Sequence, residues 1–442
     1  MMTGSDSLPK LSVYSQSEKV GDLVFSEPGL CTFIYSEYWR EHRFPISPAI
    51  PFNEDYAPKT IANFLKNLFP EGDAFDTLLH SQNISQKNLY AILKTIGMDT
   101  AGILSFFPDE YKAEQTQLRE VTAEELIKKL SSGDIQELTT WDGKYRLSVA
   151  GVQNKLNVYI DPANKFMLAD GKYSSTHILK FASDKYKTIV INELFCMSLA
   201  REAGLKVANV SFKKFGEHSA LVVERFDRKR TTDGVEKRHI IDACQALDLP
   251  PEFKYEQQFG SGRDVQHLRD GVSFNKLFSF AQHCAIPAAV TRHLVDWLIF
   301  NLIIGNSDAH GKNMSFYLGK SGITIAPLYD LVSITYEASK NNKLDTSLAM
   351  AIGDNFDIHT ITAYDLLTLA DETGIPFNFL KKRIDKLTTF VLKRVEQLNF
   401  DNYELSEQHT SVIEELKLIV IQQANRLLSE SRIMDAVAKE AF

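Results

Sequence analysis

At 442 residues the chain is longer than one ordinary hydrophobic core, so two or three cooperating units are expected. Its 49 basic and 57 acidic residues give a formal charge of −8, which argues against a surface that wraps DNA or coats an anionic membrane and still leaves room for a local phosphate site. Cys31, Cys196, Cys244 and Cys284 lie far apart with no CxxC pair, the pattern of buried thiols in a reducing compartment.

The opening "MMTGSDSLPKLSVYSQSEKVGDL" has no basic flank ahead of an apolar run, so no signal peptide is expected. From Lys10 to Ile34 short alternating strands are predicted, broken by "EKVGD" and "EPG". "KTIANFLKNLFPEGD" places Ile61, Phe64, Leu65 and Leu68 at helical spacing, with Pro70 and Gly72 ending the helix. A second helix is predicted over Ser85 to Ile96, and "AGILSFFPDE" returns to strand composition, closing a first mixed unit at residues 1–110. A connector follows with one helix, opened by Thr122 as N-cap and Glu125 in the capping-box position. "YRLSVA", "KLNVYI", "KFMLA" and "STHILKF" then read as strands and "TIVINELFCMSLAREAG" as a helix. "KVANVSFKKFG", "HSALVVERFD" and "HIIDAC" read as strands again, so residues 111–240 form a strand-rich lobe carrying a helix. Helical patterns dominate residues 241–442, apart from "NMSFYLG" and "ITIAPLYD". The most hydrophobic stretch, "HLVDWLIFNLIIG", is short of a membrane span and contains His293 and Asp296, so a cytoplasmic protein without membrane contact is expected.

"NLIIGNSDAHGKNMSF", Asn301 to Phe316, crowds Asp308, His310, Lys312 and Asn313 between two apolar segments. A carboxylate to orient a hydroxyl, an amide oxygen at Asn313 and a second carboxylate at Asp330 are what phosphoryl transfer from Mg-ATP demands, with Lys312 to neutralise charge on the phosphate in flight. The same residues also suit a plain polar turn in which Asn306, Ser307 and Asp308 act as caps and His310 is structural. "LSVAGVQNKLNVYI" puts a small-residue loop with Ser148 and Lys155 between two strand patterns, suited to cradling phosphates through backbone N–H groups or to forming an ordinary hairpin. Lys180 falls in the strand "THILKF", either projecting into a cleft or lying on an exposed edge.

Taken together, these motifs resemble the HipA family of serine/threonine protein kinases, toxins of bacterial toxin–antitoxin systems. The resemblance runs over nearly the whole chain: "NLFPEGD" and "AGILSF", then "SVAGVQNK", "THILK", Asn192–Glu193 and "VERFDR", then "DACQAL", "GNSDAHGKN" and "PLYDLVS". It implies an α+β, protein-kinase-like two-lobed fold with an additional N-terminal mixed subdomain and a mainly helical C-terminal lobe. It implies Asp308 as the catalytic aspartate, with His310 and Lys312 beside it, and Asn313 and Asp330 as ligands of Mg²⁺. Lys180 would contact the ATP phosphates, and Val152, Gln153 and Lys155 belong to the matching phosphate loop. Glu224, Arg225 and Phe226 match the hinge that holds adenine, largely through backbone groups. Ser148 matches a serine whose autophosphorylation ejects the loop and switches the kinase off, and Glu193 is a candidate partner of Lys180. The implied partners are a small helix-turn-helix antitoxin resembling HipB, operator DNA reached through it, and a cellular protein substrate; the family's targets include an aminoacyl-tRNA synthetase. Two other functions use the same sequence, a small-molecule or lipid kinase and a pseudokinase serving as corepressor subunit. The stretches "QQFGSGRDVQHLRDGV" and "SITYEASKNNKLDTSLAMAIG" depart from the family pattern and are expected at a substrate or partner surface.

Overall fold

Alternation in the first strands dictates a sheet with one covered face. In Leu30–Tyr35, Cys31, Phe33 and Tyr35 are buried and the residues between them exposed. In the computed structural model this strand is the edge of a four-stranded antiparallel sheet, running Leu30–Tyr35, Glu18–Glu27, Lys10–Ser15, Leu104–Phe107. The structure describes residues 8–53, 56–97, 99–108, 116–134, 138, 140–146, 154–183 and 186–442. Ser148, Val152 and Gln153 lie outside these residues.

Two compact units form, and each is assembled from separated stretches of chain. The first takes the chain up to Lys180, then Glu224–Pro251 and Tyr317–Gly322; the second takes Phe181–Val223, Glu252–Phe316 and Ile323–Phe442. In the first unit the helices Pro58–Lys66, Asp73–Gln82 and Leu89–Ile96 accompany the N-terminal sheet. The helix Asp73–Gln82 is absent from the sequence reading, which stops at Gly72. Gly72 in fact serves as its N-cap at φ 59°, and Asp73 and Asp76 sit in its first turn, where negative charge suits the helix dipole. The helix expected from Ser85 begins at Leu89, because the Asn88 side chain takes the Ala91 N–H and starts the helix there. A second antiparallel run in this unit is Gln117–Glu120, Phe166–Asp170, Lys155–Ile160, His177–Phe181.

Polar bonds join early and late segments of this unit. Thr60 Oγ1 donates to Asp248 Oδ2 at 2.7 Å, Asn63 Nδ2 to the Asp248 carbonyl at 3.0 Å, and Asn67 Nδ2 to the Leu249 carbonyl at 2.9 Å. A denser cluster forms around Asp227, which is 3% exposed. Its carboxylate receives Arg225 Nε at 3.0 Å, Arg228 Nη1 at 2.7 Å and the Gly102 N–H at 2.9 Å. Both arginines also donate to the Thr100 carbonyl, at 3.1 and 2.7 Å, and Arg228 reaches Asp99 at 3.0 Å. Residues 99–102 and 225–228 are therefore locked by buried charge.

The second unit holds the hairpin Val210–Phe215 and His218–Glu224 beside the helix Ile189–Glu202, and the helices Phe274–Ala281, Pro287–Ile304, Ala363–Thr373, Phe377–Arg394 and Glu407–Ala441. The last is 35 residues long and buries Val412, Leu416, Val420, Ala424 and Leu427 at helical spacing. Pro287–Ile304 is, among the described residues, the one helix long and apolar enough to cross a membrane, yet most of it is buried in the protein. Its Asp296 is matched by Arg383 Nε at 2.6 Å from the neighbouring helix.

Burial alone would raise the Asp227 carboxyl, but Arg225 and Arg228 outweigh it and hold it well below the usual carboxylate range. A depressed folded pKa contributes stability that is complete above the unfolded value near 4 and is lost as pH falls through the folded one. Urea titration should therefore find the wild-type chain losing stability below about pH 4, with a shallower acid loss in Asp227→Asn. Asp227→Ala, which strands two buried guanidinium groups, should cost about 3–5 kcal/mol near neutral pH.

Candidate active site

The loop carrying Asp308 starts from the end of a buried helix. Pro287–Ile304 closes with Gly305 at φ 69°; the Asn306 N–H returns to the Asn301 carbonyl at 2.8 Å and the Gly305 N–H to Leu302 at 3.3 Å. This is a Schellman end, which satisfies the last helical carbonyls and turns the chain sharply. A side chain at 305 is doubly disfavoured: φ is left-handed, and a Cβ would lie 2.6 Å from Thr335 Oγ1.

Asn306 then fixes the next turn. Its Nδ2 donates to Asn301 Oδ1 at 2.7 Å and its Oδ1 takes the Asp308 N–H at 3.1 Å. The Asp308 carbonyl receives the His310 N–H at 2.9 Å and Asn313 Nδ2 at 3.0 Å. Both faces of the Asp308 backbone are thus held, while its side chain stays half-buried. Because a carbonyl only accepts, Asn313 must offer it the amide nitrogen, which turns the amide oxygen elsewhere. The turn Gly311–Asn313 is buried, and the Gly311 N–H donates to the Lys254 carbonyl at 2.9 Å.

Asp330 is brought to this loop by its neighbour. Tyr329 donates its hydroxyl to the Lys312 carbonyl at 2.6 Å and pairs with Ser315 Oγ at 2.7 Å, tying the residue before Asp330 to the residue before Asn313. On the other side, the Ser333 N–H bonds Asn192 Oδ1 at 2.8 Å, and Asn192 Nδ2 returns to the Ser333 carbonyl at 3.0 Å and to Glu337 at 2.9 Å. Burial raises the Glu337 pKa above its ordinary value although Asn192 and Thr188 donate to it. The adjacent Glu193 is 1% exposed on the same helix. Two oxygen donors at Asn313 and Asp330, completed by phosphate oxygens and water, suit a small hard cation such as Mg²⁺. Among the described residues no cluster of three or more His, Cys, Asp or Glu offers a self-sufficient metal cage.

In the first unit, Lys155 and Lys180 occupy directly opposite positions of an antiparallel pair. Side chains at such positions share a face, with Cβ atoms about 5 Å apart. The two lysines are 4% and 6% exposed, so they present paired cations in a sheltered place. Further along the chain, Glu224 and Phe226 are half-buried and Arg225 is buried. The Arg225 guanidinium is bonded to Asp227, the Thr100 carbonyl and Ser175 Oγ, the last at 2.8 Å. The Phe226 carbonyl accepts the Tyr317 hydroxyl at 2.9 Å.

One contact was invisible in the sequence. Tyr255, 53 positions before Asp308, donates its hydroxyl to Asp308 Oδ1 at 2.7 Å, and its ring meets His310 edge-on at 5.2 Å.

A family model described as the HipA-like C-terminal domain matches residues 147–397, and one described as the HipA N-terminal domain matches residues 11–107. The chain belongs to the HipA family. It is 41% identical over 397 residues to the serine/threonine-protein kinase toxin HipA of Shewanella oneidensis, covering 89% of this chain and 90% of that relative. It is 32% identical to the putative kinase Y4mE of Sinorhizobium fredii, over 89% of this chain and 93% of the other. The solved structure of Shewanella oneidensis HipA with HipB and its operator DNA matches with a TM-score of 0.85 at 38% identity, over 97% of this chain and 99% of that one. The fold is the α+β, kinase-like fold of that family.

Removing the Asn306 side chain leaves Asn301 Oδ1 and the Asp308 N–H without their partner. Asn306→Ala should cost about 1–3 kcal/mol in chemical denaturation, and phosphate transfer should fall further than loss of folded protein explains. Wild-type stability in this variant would mean that the loop is held elsewhere.

Proposed function

We propose that Asp308 is the catalytic base of this chain, a serine/threonine-protein kinase toxin of the HipA family that passes the γ-phosphoryl group of ATP to a serine or threonine hydroxyl of a cellular protein. The observation that carries the reading is the fixing of Asp308: backbone held by Asn306, His310 and Asn313, side chain left half-buried. A carboxylate so held accepts the hydroxyl proton as the oxygen attacks, with little motion of its own. Asn313 and Asp330 would hold a magnesium ion through their side-chain oxygens, and that ion would supply positive charge to offset the charge developing on the phosphates. Lys312, 6% exposed on the same loop, adds positive charge beside the transfer, and His310 shapes the loop against Tyr255. Lys155 and Lys180 grip nucleotide phosphates as paired cations, and Glu224, Arg225 and Phe226 meet adenine chiefly through main-chain groups. Val152 and Gln153 belong to the phosphate loop, and Ser148 is its autophosphorylated off-switch: nearly two added negative charges repel ATP phosphates.

The likeness to a HipA solved with HipB and operator DNA supports a small DNA-binding antitoxin as partner. With a formal charge of −8, this chain reaches the operator through that partner. An aminoacyl-tRNA synthetase is one candidate target.

Mass spectrometry after incubation with Mg-ATP tests the reading. Phosphate should appear on Ser148 in the wild type and be absent from Asp308→Asn, which keeps its fold; Ser148→Ala should retain transfer to an external acceptor. Wild-type transfer by Asp308→Asn would overturn the assignment of the base. Separately, Lys180→Ala should weaken ATP binding about 10- to 100-fold by calorimetry, the scale of one lost charge-assisted contact.

A further inference from the structure

The segment Lys254–Gly271 is built against the loop that carries Asp308. The Lys254 carbonyl takes the Gly311 N–H at 2.9 Å. Two residues on, the Glu256 N–H donates to the Ala349 carbonyl at 2.9 Å, and the Ala349 N–H donates to the Ser307 carbonyl at 2.8 Å. Tyr255 is therefore framed between contacts to Gly311 and, through Ala349, to Ser307, the two flanks of Asp308. Glu256 strengthens the frame: 4% exposed, it accepts the Ala351 N–H at 2.8 Å and Arg269 Nε at 2.7 Å. Gly271 closes against the same place, where a Cβ would lie 1.7 Å from the Tyr255 carbonyl oxygen.

This frame is rigid and its product is one hydrogen bond, from the Tyr255 hydroxyl to Asp308 Oδ1 at 2.7 Å. An aspartate side chain has two torsions, and the backbone bonds of Asp308 restrain neither. With Oδ1 held by that bond, turning about the Cβ–Cγ bond costs a hydrogen bond, and Oδ2 is the oxygen left for an incoming hydroxyl. The ring is itself steadied, edge-on to His310 and with the Lys254 ammonium 5.4 Å from its centroid. Tyr255 is 36% exposed, so it reaches the carboxylate from the solvent side, where a protein acceptor must approach.

We propose that Tyr255 is a positioning residue for phosphoryl transfer, which holds one oxygen of Asp308 so that the other is presented to the acceptor hydroxyl. The inference rests on the reading of Asp308 as base. It makes the Lys254–Gly271 segment part of the acceptor side of the site, because the residue that orients the base sits on it.

The test compares full-length wild type, Tyr255→Phe, Asp308→Asn and the double variant, measuring labelled phosphate passed from Mg-ATP to the chain itself and to casein. Tyr255→Phe keeps the ring and removes the hydroxyl, so its melting temperature and its KM for ATP should match the wild type. Its kcat should fall about 10- to 100-fold, the scale of a lost hydrogen bond to a charged group. The double variant should be as inactive as Asp308→Asn, since the carboxylate that Tyr255 orients is gone. A wild-type or raised kcat in Tyr255→Phe, with Asp308→Asn inactive, overturns the inference and leaves the base assignment standing. A raised KM with a lowered melting temperature also overturns it, since that marks a packing role. Full activity in Asp308→Asn, or none in the wild type, removes the reading of the loop and this inference with it.

Discussion

A helix as apolar as Pro287–Ile304 has to end inside the protein with its last carbonyls satisfied, and the way it ends determines where Asp308 stands. Gly305 permits the left-handed turn, the Asn306 N–H closes it on Asn301, and the Asn306 side chain carries the geometry onward to the Asp308 N–H. Each step is a short-range bond in a buried place, where an unmade hydrogen bond costs more than a made one gains. The loop is consequently as well fixed as the helix core behind it. A polar stretch between two apolar ones is how a chain delivers charged groups to a site without leaving them to loop motion.

Charge is managed differently in the first unit. Asp227 with Arg225 and Arg228 forms a buried cluster whose desolvation is repaid only because every charged group in it has several partners. Its use is alignment. It ties residues 99–102 to residues 225–228, next to the end of the strand His218–Glu224. The two basic side chains of "VERFDR" are matched by two carboxylates, Asp99 and Asp227.

The sequence made legible whatever is local. Thr122 and Glu125 form the expected capping box, the run ending at Gly305 is a helix, and Asp308 to Asn313 form one compact turn. What it hid depends on partners far along the chain. The strand Ser347–Ile352 lies in a stretch read as helical, because its pairing with Asn355–Asp357 and its link from Ala349 to Ser307 are not written in its own composition. The helix Asp73–Gln82 was lost behind Pro70 and Gly72, which end one helix and at once begin another. Asn192 is legible only as part of a short motif and Tyr255 carries no periodic or motif signal; their partners lie 141 and 53 positions away.

Asp330 shows how far the fold goes to aim an oxygen. Its φ of 57° puts a non-glycine residue in the left-handed region, which costs on the order of 1 kcal/mol or more and persists only where the surroundings dictate it. They do: Tyr329 is bound to Lys312 and Ser315 on one side, and Ser333 is clamped by Asn192 on the other. Glycine would relieve the strain and lose the carboxylate, whereas a longer acidic side chain would carry it further from the turn. Aspartate is among the few residues that tolerate this conformation, and it alone of those few brings a charged oxygen pair. A strained aspartate, one residue beyond a tyrosine tied to the turn of Asn313, fits the role proposed for Asp330 as a short, fixed cation ligand.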